Sequence, residues 1–167
     1  MKLVGIAMIV ACTAGLGLLR ACRMSARVAE LERCLSFLDS LEEELRYTRA
    51  PIGRIAASLA GREEYARLPL AREWARGCQE GKPSWEAFQR AVESRDSSLA
   101  PGDRQTVAPL AQVLGCTDLE GQLSAIRLVS TLLGRRLEEA TRQKDSRARM
   151  DISLGVLAGA AAAVLLW

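Results

Sequence analysis

The feature that most constrains this 167-residue sequence is a run of apolar residues without a charged side chain at each end. The first run covers Leu3–Leu19 and the second covers Ile152–Trp167. As helices that rise about 1.5 Å per residue, each would span roughly 25 Å, slightly less than the hydrocarbon core of about 30 Å. Local thinning of the bilayer closes such a gap. We therefore predict transmembrane helices at residues 1–20 and 152–167, on either side of a helical domain at residues 25–149.

Each run has alternative interpretations. A cleaved signal peptide needs small residues after its apolar core, but Arg20 and Arg23 follow the first run at once. Leu19–Cys22 is similar to a lipoprotein signal, although Arg20 stands where a small uncharged residue is usual. For the alanine-rich second run the alternative is a buried core helix. Its place at the end of the sequence and its lack of a polar face favour a membrane span.

Basic residues beside the two runs predict the orientation. Only Lys2 lies on the outer side of a run. The basic residues on the inner sides include Arg20, Arg23, Arg27, Arg147 and Arg149. Since such residues are concentrated on the cytoplasmic side of membrane spans, the sequence predicts a protein of the cell membrane, with the lipid bilayer as one partner and the central domain in the cytoplasm.

The residue composition argues against an enzyme. There is no histidine, the commonest general base and metal ligand, so Ser-His-Asp and Cys-His catalysis are excluded. The five cysteines are widely spaced and form no C-x-x-C pair, which predicts reduced thiols without a metal site. The Gly81-Lys82 pair lacks the flanking residues of a phosphate loop, because Arg76 and Pro83 occupy those positions. We expect no catalytic residue, metal or cofactor.

The charge of the central segment argues against nucleic-acid binding. Once Lys2, Arg20, Arg23 and Asp151 are set aside, 20 basic and 19 acidic side chains remain between Ser25 and Arg149. A nearly neutral domain has no overall field that attracts a phosphate backbone. We therefore expect no nucleic-acid partner.

The central segment has the periodicity of helices and no strand pattern. An amphipathic stripe on a long helix, about Ala26 to Arg49, consists of Val28, Leu31, Leu35, Leu38 and Leu45. Pro51 begins a second helix that Gly61 ends, and Pro69 begins a third. The sequence predicts an all-α fold, an antiparallel bundle of about six helices between the two spans.

The later helices are predicted from their caps and apolar positions. Ser84 is a candidate N-cap of a fourth helix, whose core positions are Trp85, Phe88 and Val92. A fifth helix runs to Leu114 and ends at Gly115, and Pro109 kinks it or marks its true start. A capping box, Thr117 with Glu120, begins a sixth helix that continues toward the second span, with Leu119, Leu123, Ile126, Leu133 and Leu137 on its apolar side.

Two segments resemble the stage III sporulation protein AB family. Leu41–Ile52, LEEELRYTRAPI, is similar to that family's L-x-x-E-I-x-Y-x-x-x-P-L signature, with Leu45 in place of the usual isoleucine. Leu114–Gln122, LGCTDLEGQ, is similar to its L-G-x-x-D-x-x-x-Q segment. The opening segment Met1–Ile6, the basic block after the first run and the apolar C-terminus also match, so the resemblance covers nearly the whole chain.

The resemblance implies a subunit of the channel complex between mother cell and forespore in endospore formation, located in the mother-cell membrane around the forespore. It implies a cytoplasmic fold similar to that of F-type platform proteins of type II secretion. It also implies partners: the ATPase stage III sporulation protein AA and other channel subunits. Homo-oligomerisation is left open, and the alternative function is a membrane-anchored helical adaptor or scaffold without an ATPase partner.

The two resembling segments supply the candidate site residues. Tyr47 and Gln122 are the candidate partner contacts. The other positions are explained by helix starts, helix ends and turns: Pro51, Gly115, Thr117, Asp118 and Glu120. A membrane enzyme is a third hypothesis, but it needs ionisable groups inside the spans, and neither run has one.

Overall fold

Two long helices and four short ones form the structure, a computed structural model that describes residues 19–48 and 50–146. In chain order they are α1 (Lys2–Thr48), α2 (Ile52–Ala60), α3 (Pro69–Gln79), α4 (Ser84–Val92), α5 (Pro101–Val107) and α6 (Leu119–Leu166). Two 3₁₀ turns follow α2 and α5, at Glu63–Tyr65 and Ala108–Gln112. The described residues contain no strand. The prediction of an all-α fold with about six helices is therefore confirmed.

The ends of the chain are a separate matter. Within residues 19–48 and 50–146, no helix has a stretch both long and apolar enough to cross a bilayer. The two spans predicted at residues 1–20 and 152–167 lie outside these residues, except for Leu19 and Arg20. The predicted spans and the flanking positions Arg147 and Arg149 stay predictions.

The predicted apolar stripe of α1 faces the core. Four of its five residues are buried, and Leu35 is partly buried against them. Phe37 and Leu41, which lie beside the stripe, are also fully buried. They are covered because α1 contacts α6 on one side and α2 with the first 3₁₀ turn on another. The buried face of α1 is thus wider than its sequence periodicity predicts.

The two long helices pack along each other in opposite directions. Toward the C-terminal end of α1, the Nε of Arg127 near the start of α6 donates a hydrogen bond of 2.9 Å to Glu42. Further toward the N-terminus, the pKa of Arg27 is raised by its hydrogen bond to Asp103, and the charges of Asp103 and of Glu139, a later α6 residue, add to this. Residues 19 and 146 therefore lie at one end of the bundle, called the proximal end. The C-terminus of α1 and the start of α6 form the distal end.

Aromatic side chains connect four elements in the core. The Phe37 ring packs edge-on against Tyr65 at 5.4 Å and against Trp74 at 6.1 Å between ring centroids. Trp74 in turn packs edge-on against Phe88 at 5.1 Å. Such pairs add about 0.5–1.5 kcal/mol each beyond their buried area. The Tyr65 hydroxyl lies 2.8 Å from the hydroxyl of Ser40, so the polar end of this ring is satisfied as well.

The burial of α4 differs from the prediction at Trp85. Phe88 and Val92 are buried as predicted, but Trp85 is 46% exposed. The reason is the close approach of α3, where a Cβ added to Gly77 would lie 2.6 Å from the Cβ of Ala87. The buried face of α4 is therefore centred on its small residues, and Trp85 falls at the edge of that face.

Ser84 does not act as the N-cap of α4. It is the first residue of that helix, and Pro83 precedes it with φ −55°, without a side-chain cap. The restricted φ of proline suits a helix start and moves the boundary by one residue. The Ser84 hydroxyl instead accepts a hydrogen bond of 3.3 Å from Nε1 of Trp74.

The fifth helix is shorter than predicted. It ends at Val107, and a 3₁₀ turn continues from Ala108 to Gln112 with Pro109 near its start. Proline cannot donate the backbone hydrogen bond that a continuing α-helix needs at this position. Gly115 then adopts φ +80°, in agreement with its predicted role at the end of the segment.

The start of α6 also lies one residue later than predicted. The carboxylate of Asp118, not the side chain of Thr117, accepts the hydrogen bond from the backbone N–H of Gly121, at 3.3 Å. The Thr117 hydroxyl donates backward to the carbonyl of Val113, also at 3.3 Å. The capping box between Thr117 and Glu120 is therefore wrong, and Asp118 caps the helix.

Candidate interaction surface at the distal end

The two segments that carry the family resemblance meet at the distal end. A Cβ added to Gly115 would lie 3.0 Å from Cγ2 of Ile52 and 3.7 Å from Cβ of Ser84. The turn after α1, the turn before α6 and the start of α4 therefore converge on one point. Only a residue without a side chain allows this close approach at φ +80°.

Gln122 holds the turn that precedes α6. Its side-chain nitrogen donates a hydrogen bond of 2.8 Å to the carbonyl of Thr117, and its side-chain oxygen accepts one of 3.3 Å from the N–H of Gly115. Gln122 is buried, at 9% exposure. Both ends of the amide form hydrogen bonds within the domain, so the geometry gives Gln122 a structural role in this turn. Its predicted role as a partner contact is untested.

Tyr47 is placed very differently. It lies one residue before the end of α1 and is 79% exposed. Trp85, at the start of α4, and Leu119, at the start of α6, are also exposed, although a large apolar side chain is usually buried. Pro51 between α1 and α2 is exposed as well. The distal end thus presents aromatic and apolar side chains to solvent, and we call Tyr47, Pro51, Trp85 and Leu119 the distal surface.

An acidic face of α1 leads up to Tyr47. Together with Arg46, the residues Asp39, Glu42, Glu43 and Tyr47 line a shallow recess of about 250 Å³. Partial burial raises the pKa of Asp39, and the charges of Glu42 and Glu43 contribute to the same effect. Glu42 is paired with Arg46 at 2.6 Å and is also bonded to Arg127. The negative charge of this face therefore comes from Asp39 and Glu43.

One of the predicted membrane-flanking residues has a structural partner. Arg27 forms a forked pair with Asp103, with Nε to Oδ2 at 2.7 Å and Nη2 to Oδ1 at 2.8 Å. The side chain of Asp103 is completely buried, and it also accepts the N–H of Ala100 at 2.9 Å. Arg27 therefore fastens α1 to the start of α5. Arg20 and Arg23 are exposed.

A second buried carboxylate was missed by the sequence analysis. Glu30, 4% exposed, accepts hydrogen bonds from the hydroxyl of Ser97 at 2.7 Å and from the N–H of Ser98 at 2.6 Å. Its partners lie 67 and 68 residues away along the chain. No local pattern indicates such pairs. Glu30 and Asp103 hold the segment between α4 and α5 against α1, and we assign both a structural role.

Comparison with known proteins gives two findings. The family model described as "Stage III sporulation protein AB (spore_III_AB)" matches residues 2–167. A solved structure described as "Stage III sporulation protein AB (SpoIIIAB)" is similar with a TM-score of 0.62 at 18% sequence identity, over 72% of this chain and 98% of that chain. The second finding concerns the fold alone. No curated protein sequence matches this chain.

Proposed function

This chain belongs to the stage III sporulation protein AB family, a family of sporulation proteins, and from that premise we propose that it is a non-enzymatic platform subunit. In this proposal it is anchored in the mother-cell membrane by residues 1–20 and 152–167. Its central domain lies in the cytoplasm and docks a secretion-type ATPase, stage III sporulation protein AA, within the channel complex between mother cell and forespore. The docking site is the distal surface.

One observation carries the proposal. The two segments that resemble the family signature are far apart in sequence, yet they meet around Gly115 and Ile52 at the distal end. Tyr47, 79% exposed, contributes little to the core of this domain, and Trp85 and Leu119 are each about half exposed. Tyrosine and tryptophan are enriched among the residues that dominate binding energy at protein interfaces. Two exposed aromatic side chains beside the signature turns suit a docking surface.

The direction of the long helices supports the same arrangement. Since α1 and α6 are antiparallel, both predicted anchors are adjacent in sequence to the proximal end, so they can enter the same membrane. From Arg20 to Thr48, α1 rises roughly 42 Å at about 1.5 Å per residue. The distal surface would therefore lie roughly 40 Å from the bilayer, where a large cytoplasmic partner has room to approach.

The experiment is a binding measurement with the full chain in detergent. The ATPase is tested without nucleotide, with ADP and with a non-hydrolysable ATP analogue. We expect a complex in at least one state, and a loss of affinity of about thirtyfold or more for Tyr47→Ala with Trp85→Ala, since interface aromatics of this kind contribute about 2 kcal/mol or more. Thermal unfolding should change little for Tyr47→Ala, because that side chain is exposed.

The matched control is Leu128→Ala. Leu128 is 61% exposed on α6 and lies nine residues after Leu119, about 14 Å along the helix, so its removal should leave binding unchanged. No complex in any nucleotide state would overturn ATPase docking and favour the adaptor function, especially if another channel subunit binds. A complex that is insensitive to Tyr47 and Trp85 would overturn the distal surface as its site.

A further inference from the structure

The proximal end carries basic side chains from both long helices. Arg20 and Arg23 on α1, and Arg142 and Lys144 on α6, are all exposed. We infer that these four residues, called the basic collar, bind the headgroups of anionic phospholipids. This inference rests on the membrane anchoring in the proposed function and goes beyond it, because an anchor by itself has no preference among lipids.

The register of the two helices brings the four residues together. Glu42 and Arg127 are bonded, which places residues 42 and 127 at one level of the antiparallel pair. Nineteen residues further toward the proximal end, Arg23 is level with residue 146. By the same register Lys144 is level with residue 25 and Arg142 with residue 27, so the four residues fall within roughly 10 Å along the helix axis, at about 1.5 Å per residue. Positive charges that are distant in sequence thus form one group around the base of the helix pair.

The collar differs from the rest of the domain in its charge pairing. Over residues 19–48 and 50–146, no carboxylate lies within salt-bridge distance of any of the four side chains. Many basic residues of the central part do have such partners, including Arg27, Arg46, Arg90 and Arg127. Residues 19–29 contain no acidic residue, and residues 140–146 contain only Asp145. The collar therefore has a local net charge of +3.

An anionic lipid surface fits this group better than a nucleic acid does. The charge is confined to one end of an otherwise nearly balanced domain, and it lies next to the two predicted spans. Leu19, 59% exposed beside Arg20, adds an apolar side chain at the same level. Flexible Arg and Lys side chains beside a span reach phosphate groups at the bilayer surface.

The test uses the full chain reconstituted in mixed bilayers with spin-labelled phosphatidylglycerol or phosphatidylcholine. Electron spin resonance measures the fraction of each lipid that the protein immobilises. We expect phosphatidylglycerol to be preferred about fivefold, the factor that a single basic side chain at the surface contributes. About 1 M NaCl should largely abolish the preference, because the screening length falls to roughly 3 Å.

Two variants that each remove four positive charges test whether the lipid preference comes from the collar or from the overall charge of the protein. In the first, all four collar residues are replaced by glutamine. In the second, four exposed arginines of the central part are replaced by glutamine: Arg54, Arg67, Arg90 and Arg95. The preference should fall clearly in the first variant, in which Arg147 and Arg149 remain, and should be unchanged in the second.

The outcomes distinguish this inference from the proposed function. Immobilised lipid without a preference for phosphatidylglycerol overturns the collar and leaves membrane anchoring intact. A preference that is as strong in the first variant as in the unsubstituted protein also overturns the collar. If neither lipid is immobilised, the anchoring itself is overturned, and this inference with it.

Discussion

Replacing Asp103 by asparagine tests the polar contact that joins α1 to α5. The carboxylate is fully buried and accepts three hydrogen bonds, two from Arg27 and one from the N–H of Ala100. Asparagine has nearly the same shape, and its oxygen can still accept the bond from Ala100. The substitution therefore removes mainly the negative charge opposite the Arg27 guanidinium.

The expected loss follows from the burial of the two partners. Breaking a buried ion pair by removing one partner costs about 3–5 kcal/mol, because the other charge is left uncompensated. The Arg27 side chain is 16% exposed, so water partly compensates it and the lower value of about 3 kcal/mol applies. For a chain of this size, about 1 kcal/mol lowers the melting temperature by about 2–4 °C. We expect Asp103→Asn to lower it by about 6–12 °C.

The assay is thermal unfolding of the full chain in detergent, followed by circular dichroism. Glu42→Gln is the matched control, because Glu42 pairs with Arg46 and Arg127 at the surface, where ion pairs contribute about 0–1 kcal/mol. Arg27→Met on the Asp103→Asn background should recover part of the loss by removing the uncompensated charge. Equal melting temperatures for Asp103→Asn and Glu42→Gln would refute the reasoning.

Three further predictions concern stability. Gly115→Ala should cost about 1–3 kcal/mol in urea unfolding, because φ is +80° and the new Cβ would lie 3.0 Å from Ile52; no loss would contradict the tight turn. Burial raises the pKa of Cys34 to about 12 from an ordinary value of 9.0. The stability that the buried neutral thiol contributes is therefore present below pH 9.0, and it falls by about 1.4 kcal/mol per pH unit as the pH rises toward 12. The unfolding free energy should therefore fall more steeply above pH 9.0 than in Cys34→Ala, and parallel curves would disprove this. Tyr65→Phe should cost about 1 kcal/mol in thermal unfolding through its lost hydrogen bonds, whereas the exposed Tyr47→Phe should cost nothing.

The helices of this protein could be predicted from sequence because their boundaries depend on local backbone chemistry. Proline restricts φ at the start of α3, and Gly115 permits the positive φ that ends the segment before α6. The stripe on α1 has helical periodicity whatever packs against it. Errors of one residue at Ser84 and Thr117 arose because a neighbouring proline or aspartate also suits a helix start.

The burial and contacts of individual side chains were predicted less well, because they depend on what packs against each helix. Trp85 shares a helix side with Phe88, but the contact between Gly77 and Ala87 rotates that side partly out of the core. Gln122 and Tyr47 look equally available in sequence, yet one holds a turn and the other is exposed. For the candidate site, the two segments could be identified in the sequence, but the contact between them could not be predicted.

The sequence by itself determined that this chain is helical, where most of its helices begin and end, and that its family is that of a sporulation protein. Those properties depend on near neighbours and on residue patterns. The tertiary structure alone decided that Ile52 meets Gly115 and that Arg27 pairs with Asp103. These contacts join residues more than 60 positions apart, and only the packing of whole helices determines which distant side chains come together.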